Sequence, residues 1–410
     1  MTTVKIEKLV FGGYGLGRDG GGVVLIPGAL PGETVEYEDD GLKGGARVGR
    51  VRGILERSPH RRDAPCPHAG DCGGCDWLHF SYDEQVRQKK AIFLDCVDRI
   101  GKFDRPGGVE AFTAAEFGYR MRAQIKIDRE RSRAGFFRRK TNDVVRVDRC
   151  PLLVDGINGV LTGLNSGAVR EIDGDVKSIR VLAGNDTASS PVIGGLTRAS
   201  TEIDVAGIRF LADGGSFFQS NRFLLETLGR WARGLTGGEP AGNQSIDNGI
   251  VNNKSASSGF VNKKRCLDLY GGIGFFSLML ADDFAGVTLA ENVKAQVADA
   301  RRNFEANGKD HLKAVLADVE KDGCLDSLAK ELRPHCVIVD PPRPGLVKSV
   351  RKWLTDAAPP VVLYVSCNPS TFARDAGALV SGGYKLSRWA LFDLYPNTHH
   401  IESAALFNYI

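Results

Sequence analysis

The chain has 410 residues, 42% of them hydrophobic and 25% charged, and a net charge of +4. That length exceeds one ordinary core and that balance excludes wholesale disorder, so two or three globular domains are expected. The opening residues MTTVKIEKLV hold no apolar signal core and no window of about 18 uncharged apolar residues occurs, so neither secretion nor membrane spanning is supported and a cytoplasmic location is expected.

Between Phe11 and Gly32 nine glycines punctuate short β-prone runs, and ETVEYE and ARVGRVRGIL continue the pattern. Short strands with tight turns predict a small β-barrel over residues 1–57, a shape that often grips single-stranded nucleic acid. A central domain, residues 58–233, opens with a cysteine-rich stretch. Val86, Ile92, Phe93, Val97 and Ile100 then keep helical spacing, which predicts one amphipathic helix over 82–103. β-Prone segments from Arg120 to Phe210 predict a mostly antiparallel sheet. Between Phe117 and Cys150 eleven lysines and arginines stand against four aspartates and glutamates. Such a concentration fits a polyanionic partner, and a solvated basic face explains it equally well.

Residues 234–264, rich in Gly, Asn and Ser, read as a linker or inserted loop. Beyond them the pattern alternates. Strands are predicted at 265–270, 287–291, 312–317, 335–340 and 361–366, with helices at 275–282, 293–307, 345–357 and 371–380. Residues 265–410 therefore predict an α/β domain with a parallel, doubly wound, Rossmann-like sheet, ended by two further β-prone runs.

CLDLYGGIGFFSL joins a strand to a helix through a glycine turn, where open α/β sheets bind nucleotide-like ligands. Glu291, ending the next strand, can accept both hydroxyls of a ribose, and Asp318, ending the third, can meet an adenine amino group. A dinucleotide dehydrogenase would carry the full G-x-G-x-x-G/A, with Gly or Ala where Ser277 stands. Asp268 before the glycines can pair with a methionine ammonium, so S-adenosylmethionine is favoured as the ligand.

VIVDPPRPG and YVSCNP end adjacent strands, which sets Asp340 and Cys367 side by side at the carboxyl edge. Amino-group methyltransferases follow their Asp/Asn-Pro-Pro turn with an aromatic residue that stacks on the substrate; here Arg343 follows. Carbon 5 of a pyrimidine needs a thiolate at carbon 6 before it can accept a methyl group, and Cys367 supplies one. A base must then remove the carbon 5 hydrogen, and Glu402 in HHIES is the candidate. Taken singly, Cys367 could be a packed small hydrophobe and Glu402 a surface carboxylate. His399 and His400 lack further ligands at metal spacing and read as structural or substrate-facing.

CPHAGDCGGCDW places Cys66, Cys72 and Cys75 in a metal-like pattern, with Cys150 in DRCPLL as a fourth thiolate. Zinc and a [4Fe–4S] cluster both fit; uneven spacing and Pro151 favour iron–sulfur. Cys96, Cys266, Cys324 and Cys336 lack such spacing and read as packing residues.

Taken together, DLYGGIG, DPPR, SCNP and HHIES in that order, with the cysteine set, resemble the bacterial RNA uracil-5-methyltransferase family over nearly the whole chain. The resemblance implies a class I methyltransferase domain, an N-terminal TRAM-like barrel and a [4Fe–4S] cluster on Cys66, Cys72, Cys75 and Cys150. It implies Cys367 as nucleophile and Glu402 as base, with Gln219 of FFQSN, Tyr270, Phe275, Glu291, Asp318 and Asp340 lining the S-adenosylmethionine pocket. RNA is the implied partner, 23S rRNA ahead of tRNA, with no protein partner evident and a monomer expected. Competing readings are RNA cytosine-5 methylation, an iron–sulfur redox enzyme and a non-catalytic RNA-binding protein.

Overall fold

A computed structural model describes residues 2–172, 176–185, 192–194, 200–236 and 264–410. Most of the expected linker, residues 237–263, lies outside the described residues. Among the described residues no helix is long and apolar enough to cross a membrane.

Five strands, β1 (Thr2–Val10), β2 (Tyr14–Asp19), β3 (Gly22–Pro27), β4 (Thr34–Lys43) and β5 (Ala46–Glu56), close a barrel in the order β1-β2-β3-β5-β4. Its interior is a separate small core built from Val4, Ile6, Val24, Ile26, Val35 and Tyr37. Helix α1 (Tyr82–Cys96) follows, then β6 (Glu110–Phe112), β7 (Arg122–Asp128), β8 (Arg133–Phe137), β9 (Val144–Arg146), α2 (Asp155–Asn165), β10 (Ser178–Leu182) and β11 (Val192–Gly194). Strands β7 to β11, all antiparallel, make a five-stranded sheet in the order β11-β10-β7-β8-β9. A hairpin of β12 (Thr201–Val205) and β13 (Ile208–Ala212) leads to α3 (Leu225–Thr236).

The remaining elements are β14 (Arg265–Leu269), α4 (Phe275–Met279), β15 (Gly286–Glu291), α5 (Lys294–Ala306), β16 (Leu312–Leu316), α6 (Cys324–Leu332) and β17 (Cys336–Val339). Helix α7 (Lys348–Ala357), β18 (Val361–Ser366), α8 (Pro369–Ser381), β19 (Tyr384–Phe392) and β20 (Glu402–Tyr409) complete the chain. They build an eight-stranded sheet in the order β16-β15-β14-β17-β18-β20-β19-β6. The first five strands are parallel, and β20 pairs antiparallel with both β18 and β19. Strand β17 is CVIV, buried at every position, as a parallel strand covered on both faces requires. Alternate residues serve two cores: Ile338, Leu363 and Val365 face one, and Val337, Val339 and Tyr364 the other.

Two features depart from expectation. The helix over 82–103 is regular only to Cys96; the next turn widens, and Lys102 N–H bonds to Val97 O at 3.1 Å. Its buried face is also largely polar, with Glu84, Gln85, Gln88 and Lys89 inside and Val86 only half-buried. Helix α1 nonetheless packs on the α/β domain, where Phe93 meets Phe372 of α8 and Trp389 of β19, and β6 adds the edge strand of the eight-stranded sheet beside β19. The reach from residues 82–112 to 372–392 is a long-range contact that local periodicity does not encode.

The barrel is tied to the next segment through wholly buried Glu33. Its carboxylate accepts from Leu30 N–H at 2.8 Å, Ser58 N–H at 3.3 Å and Arg61 Nε–H at 2.6 Å. Burial pushes this carboxyl up, but Arg61 and the backbone donors outweigh it and hold it below the usual range. Glu33→Ala leaves a half-buried guanidinium and two backbone donors without their acceptor and is expected to cost about 2–4 kcal/mol. Loss of hydrogen-exchange protection in the barrel strands is the measurement that checks this.

Candidate active site

Strand β14 leads into the turn through Tyr270, held at φ 59°, and a Cβ on Gly271 would fall 2.4 Å from Leu289 Cγ. Only glycine permits that approach of the turn to β15. Beneath the turn Asp268 is wholly buried: one oxygen accepts from the Ser277 hydroxyl at 2.6 Å and Oδ1 has no partner among the described protein atoms. Burial pushes its carboxyl up to about 7. Ser277 is thus required by Asp268, and Asp268 stays inside the protein rather than on the cavity wall where an ammonium could meet it.

Above the turn opens a cavity of about 770 Å³. Glu291 lines it, its carboxylate accepting from Gly272 N–H at 3.2 Å and Val293 N–H at 2.8 Å. Tyr270 and Phe275 line it as well. Asp318 does not; it accepts from Glu320 N–H at 3.2 Å, and Glu320 reaches the wall instead, 3.4 Å from the Tyr270 hydroxyl. Gln219 donates from Nε2 to Asp340 at 3.5 Å, while its buried Oε1 has no partner among the described protein atoms. An unmet buried acceptor in a cavity wall marks where a ligand donor belongs.

The reacting edge is set by strand register. The last aligned pair of β18 and β20 is Ser366 with Ser403, so the next position on each strand is Cys367 and Glu402. Both line the cavity, beside Asp340 and Arg343 from the turn after β17. The β18 turn is fixed by Asn368, whose side chain caps α8 by accepting from Ser370 N–H at 3.0 Å and donates to Arg343 O at 3.1 Å.

Electrostatically this edge is crowded with acids. Burial, then Asp268, pushes Asp340 up to about 7, and burial with Asp340 pushes Glu402 well above the carboxylate range. Burial, then Glu402 and Asp340, pushes the Cys367 thiol up to about 12, with Arg343 pulling the other way. At neutral pH such a thiol stays largely protonated. Neighbouring acids that raise each other in this way favour a cationic ligand, because a positive charge there stabilises every ionised form.

Sequence reading missed Arg120, Arg122 and Tyr395, which also line the cavity. The two arginines alternate along RMRAQIKID, a pattern that marks one sheet face but gives no hint that this face meets the methyltransferase sheet. His400 lines the same cavity with its ring pushed down to about 4 by burial, while His399 points away and pairs with Asp76 at 2.6 Å.

Cys66, Cys72, Cys75 and Cys150 line a second cavity, about 850 Å³, between the barrel, the cysteine loop and the central sheet. Burial and the neighbouring thiols raise Cys75. Gly74 N–H points to Cys72 Sγ at 3.4 Å, and Leu152 and Leu153 N–H face the Cys150 sulfur. Arg120 faces the same thiols, and Arg120 and Gly74 border both cavities. Among the described residues, no three His, Cys, Asp or Glu side chains stand close enough to hold a single metal ion.

A doubly wound sheet with this turn and edge defines a class I methyltransferase. The profile of the tRNA (uracil-5-)-methyltransferase family matches residues 256–409. An uncharacterised RNA methyltransferase of Aquifex aeolicus is 33% identical over 98% of this chain and 97% of its own. The 23S rRNA (uracil(1939)-C(5))-methyltransferase RlmD of Shewanella amazonensis is 32% identical over 99% of this chain and 95% of its own. Pyrococcus abyssi tRNA (uracil-54, C5)-methyltransferase, solved with S-adenosyl-L-homocysteine, shares the fold with a TM-score of 0.71, 23% identity and coverage of 99% and 100%. The chain belongs to the RNA uracil-5-methyltransferase family.

The electrostatics give a direct expectation. Alkylation of Cys367 by iodoacetamide, followed by peptide mass spectrometry, is expected to be slow at pH 7 and to speed up with rising pH. Arg343→Gln removes the cation that favours the thiolate, so the whole curve moves to higher pH.

Proposed function

We propose that the protein transfers the methyl group of S-adenosylmethionine to carbon 5 of a uridine in 23S rRNA, in the cytoplasm and as a monomer. The observation that carries this is the β18/β20 register, which sets a thiol and a carboxylate beside each other at a cavity edge that favours a cation. The rRNA choice rests on the 32% identical RlmD relative.

The donor's sulfonium supplies the charge that the Asp340, Cys367 and Glu402 cluster needs. Glu291 receives the ribose hydroxyls, Tyr270 and Phe275 flank the adenine with Glu320, rather than the expected Asp318, at its far end, and Gln219 Oε1 accepts from a ligand N–H. Donor binding lowers the pKa of the Cys367 thiol and couples its activation to the presence of the methyl group.

Cys367 Sγ adds to carbon 6 of the flipped uracil, and the C5=C6 electrons move onto carbon 5 and O4. Carbon 5 takes the methyl group as the C–S bond of the donor breaks, leaving S-adenosylhomocysteine. Glu402 then removes the carbon 5 proton, the C5=C6 bond re-forms, and the C6–S bond breaks to release the thiolate. The raised affinity of Glu402 for protons makes it a strong base once ionised. Uracil already carries its N3 hydrogen, so no acid is required there, which favours uracil over cytosine.

The cysteine cavity fits a [4Fe–4S] cluster better than zinc. Zinc with sulfurs at ~2.3 Å draws its ligands close together, whereas these thiols ring an open cavity. Their N–H donors and Arg120 suit an anionic cluster. When bound, the cluster would tie the Cys66–Cys75 loop to Cys150 without taking part in methyl transfer. The TRAM-like barrel and the basic stretch from Phe117 to Cys150 would hold the RNA backbone.

Tritium release from 5-³H-uridine RNA tests the chemistry. Wild type is expected to release tritium with S-adenosylmethionine, Cys367→Ala to release none, and Glu402→Gln to lose about 10²-fold or more while accumulating a covalent RNA–protein species on a denaturing gel. Release by Cys367→Ala overturns the mechanism. Anaerobic reconstitution is expected to give visible iron–sulfur absorbance that Cys75→Ser abolishes.

A further inference from the structure

The stretch from Asp393 to Ile401 joins the last two strands, carries Tyr395, Thr398 and His400 into the catalytic cavity and delivers the chain to Glu402. It is neither helix nor strand, so its backbone groups need partners from elsewhere. Residues 76–119 supply many of them. Trp77 N–H donates to Asn397 O at 3.0 Å, Gln85 accepts from Asn397 N–H at 2.8 Å, and the Tyr119 hydroxyl donates to Pro396 O at 3.1 Å.

Lys89 is the member of this set that stability alone does not explain. Its side chain and that of Asp393 are each only 4% exposed, and they pair at 2.6 Å. The Tyr82 hydroxyl lies against the same carboxylate. Burying two charges seldom returns more than an apolar pair of equal volume would. An apolar pair could not, however, hold the Tyr395 carbonyl, to which Lys89 Nζ donates at 2.9 Å. From the far side, Asn221 Nδ2 reaches the carbonyls of Asp393 and Leu394, both at 3.3 Å. Asn221 lies two residues beyond Gln219, so the strap is referenced to both sides of the cavity.

We propose that Lys89 is a positioning residue for proton removal: by bonding Asp393 and the Tyr395 carbonyl it fixes the strap that aims Glu402 at carbon 5 of the Cys367 adduct. The inference rests on the uracil-5 reading above. Glu402 acts only after the methyl group has moved, so a misaligned strap slows breakdown of the methylated adduct and leaves its formation largely untouched. A merely structural role would lower both steps together.

The test uses the full chain with unmethylated target RNA labelled as 5-³H-uridine and S-adenosylmethionine. Lys89→Met combined with Asp393→Asn removes both charges at nearly constant volume, and Lys89→Arg keeps the cation. For the double variant, tritium release is expected to fall about tenfold or more, covalent RNA–protein species to accumulate on denaturing gels, and adduct formation in a rapid quench to stay within about threefold of wild type. Lys89→Arg is expected to restore most of the release. Should the double variant fail to melt cooperatively, Lys89→Gln, which fills the site and can bond one acceptor, is read by the same ratio of formation to release. Equal loss in both steps, or loss in neither, overturns the assignment of Lys89. Wild type that forms no adduct and releases no tritium would instead overturn the uracil-5 reading itself.

Discussion

Strand β20 runs antiparallel between β18 and β19, and the chemistry available at the reacting edge depends on its register. The thiol sits one residue past the end of β18 and the carboxylate begins β20, its neighbour in the sheet, so a single backbone ladder sets their separation. A slip of one residue would turn Glu402 to the other face of the sheet. That register is secured by burial on both faces, since Ala404, Ala405 and Phe407 are wholly inside. The proposed nucleophile and its proposed base are therefore held by strand pairing, the least compliant element the fold offers.

That rigidity brings an electrostatic consequence. Asp340, Cys367 and Glu402 converge in the cavity wall with Asp268 behind it, and each acid raises the next. In isolation such a wall costs the folded state free energy. A sulfonium ligand relieves it, which links cofactor affinity, nucleophile ionisation and substrate commitment through one local field. The barrel approaches the same edge closely: a Cβ on Gly13 would fall 2.7 Å from His399 Cβ, and Asp76, next to Cys75, holds His399. Barrel, cysteine loop and catalytic strap thus meet at one point.

Much of this was legible in the sequence where a physical signal is local. Strands such as CVIV and VVLYVS announce themselves by continuous burial, and the glycine turn by the approach that Gly271 must allow. DPPR and SCNP named the edge because proline and asparagine turns at strand ends leave polar groups facing a ligand. What the sequence concealed is what depends on tertiary placement. The polar inner face of α1 reads as solvent-exposed until Asp393 is brought to Lys89. Arg120 and Arg122 read as ordinary outward residues until the two sheets meet. Asp268 looked available to a ligand, and only the fold shows that it lies behind the cavity wall with one oxygen taken by Ser277.

The central claim is a transient bond between Cys367 and carbon 6 of uracil, and RNA carrying 5-fluorouridine probes it most directly. Fluorine at carbon 5 cannot leave as a proton does, so the methylated adduct cannot break down. Digestion and mass spectrometry of the denatured complex are predicted to find the nucleotide, heavier by one methyl group, on the peptide containing Cys367. Folded, donor-loaded protein that methylates ordinary RNA yet yields no such peptide would contradict the account.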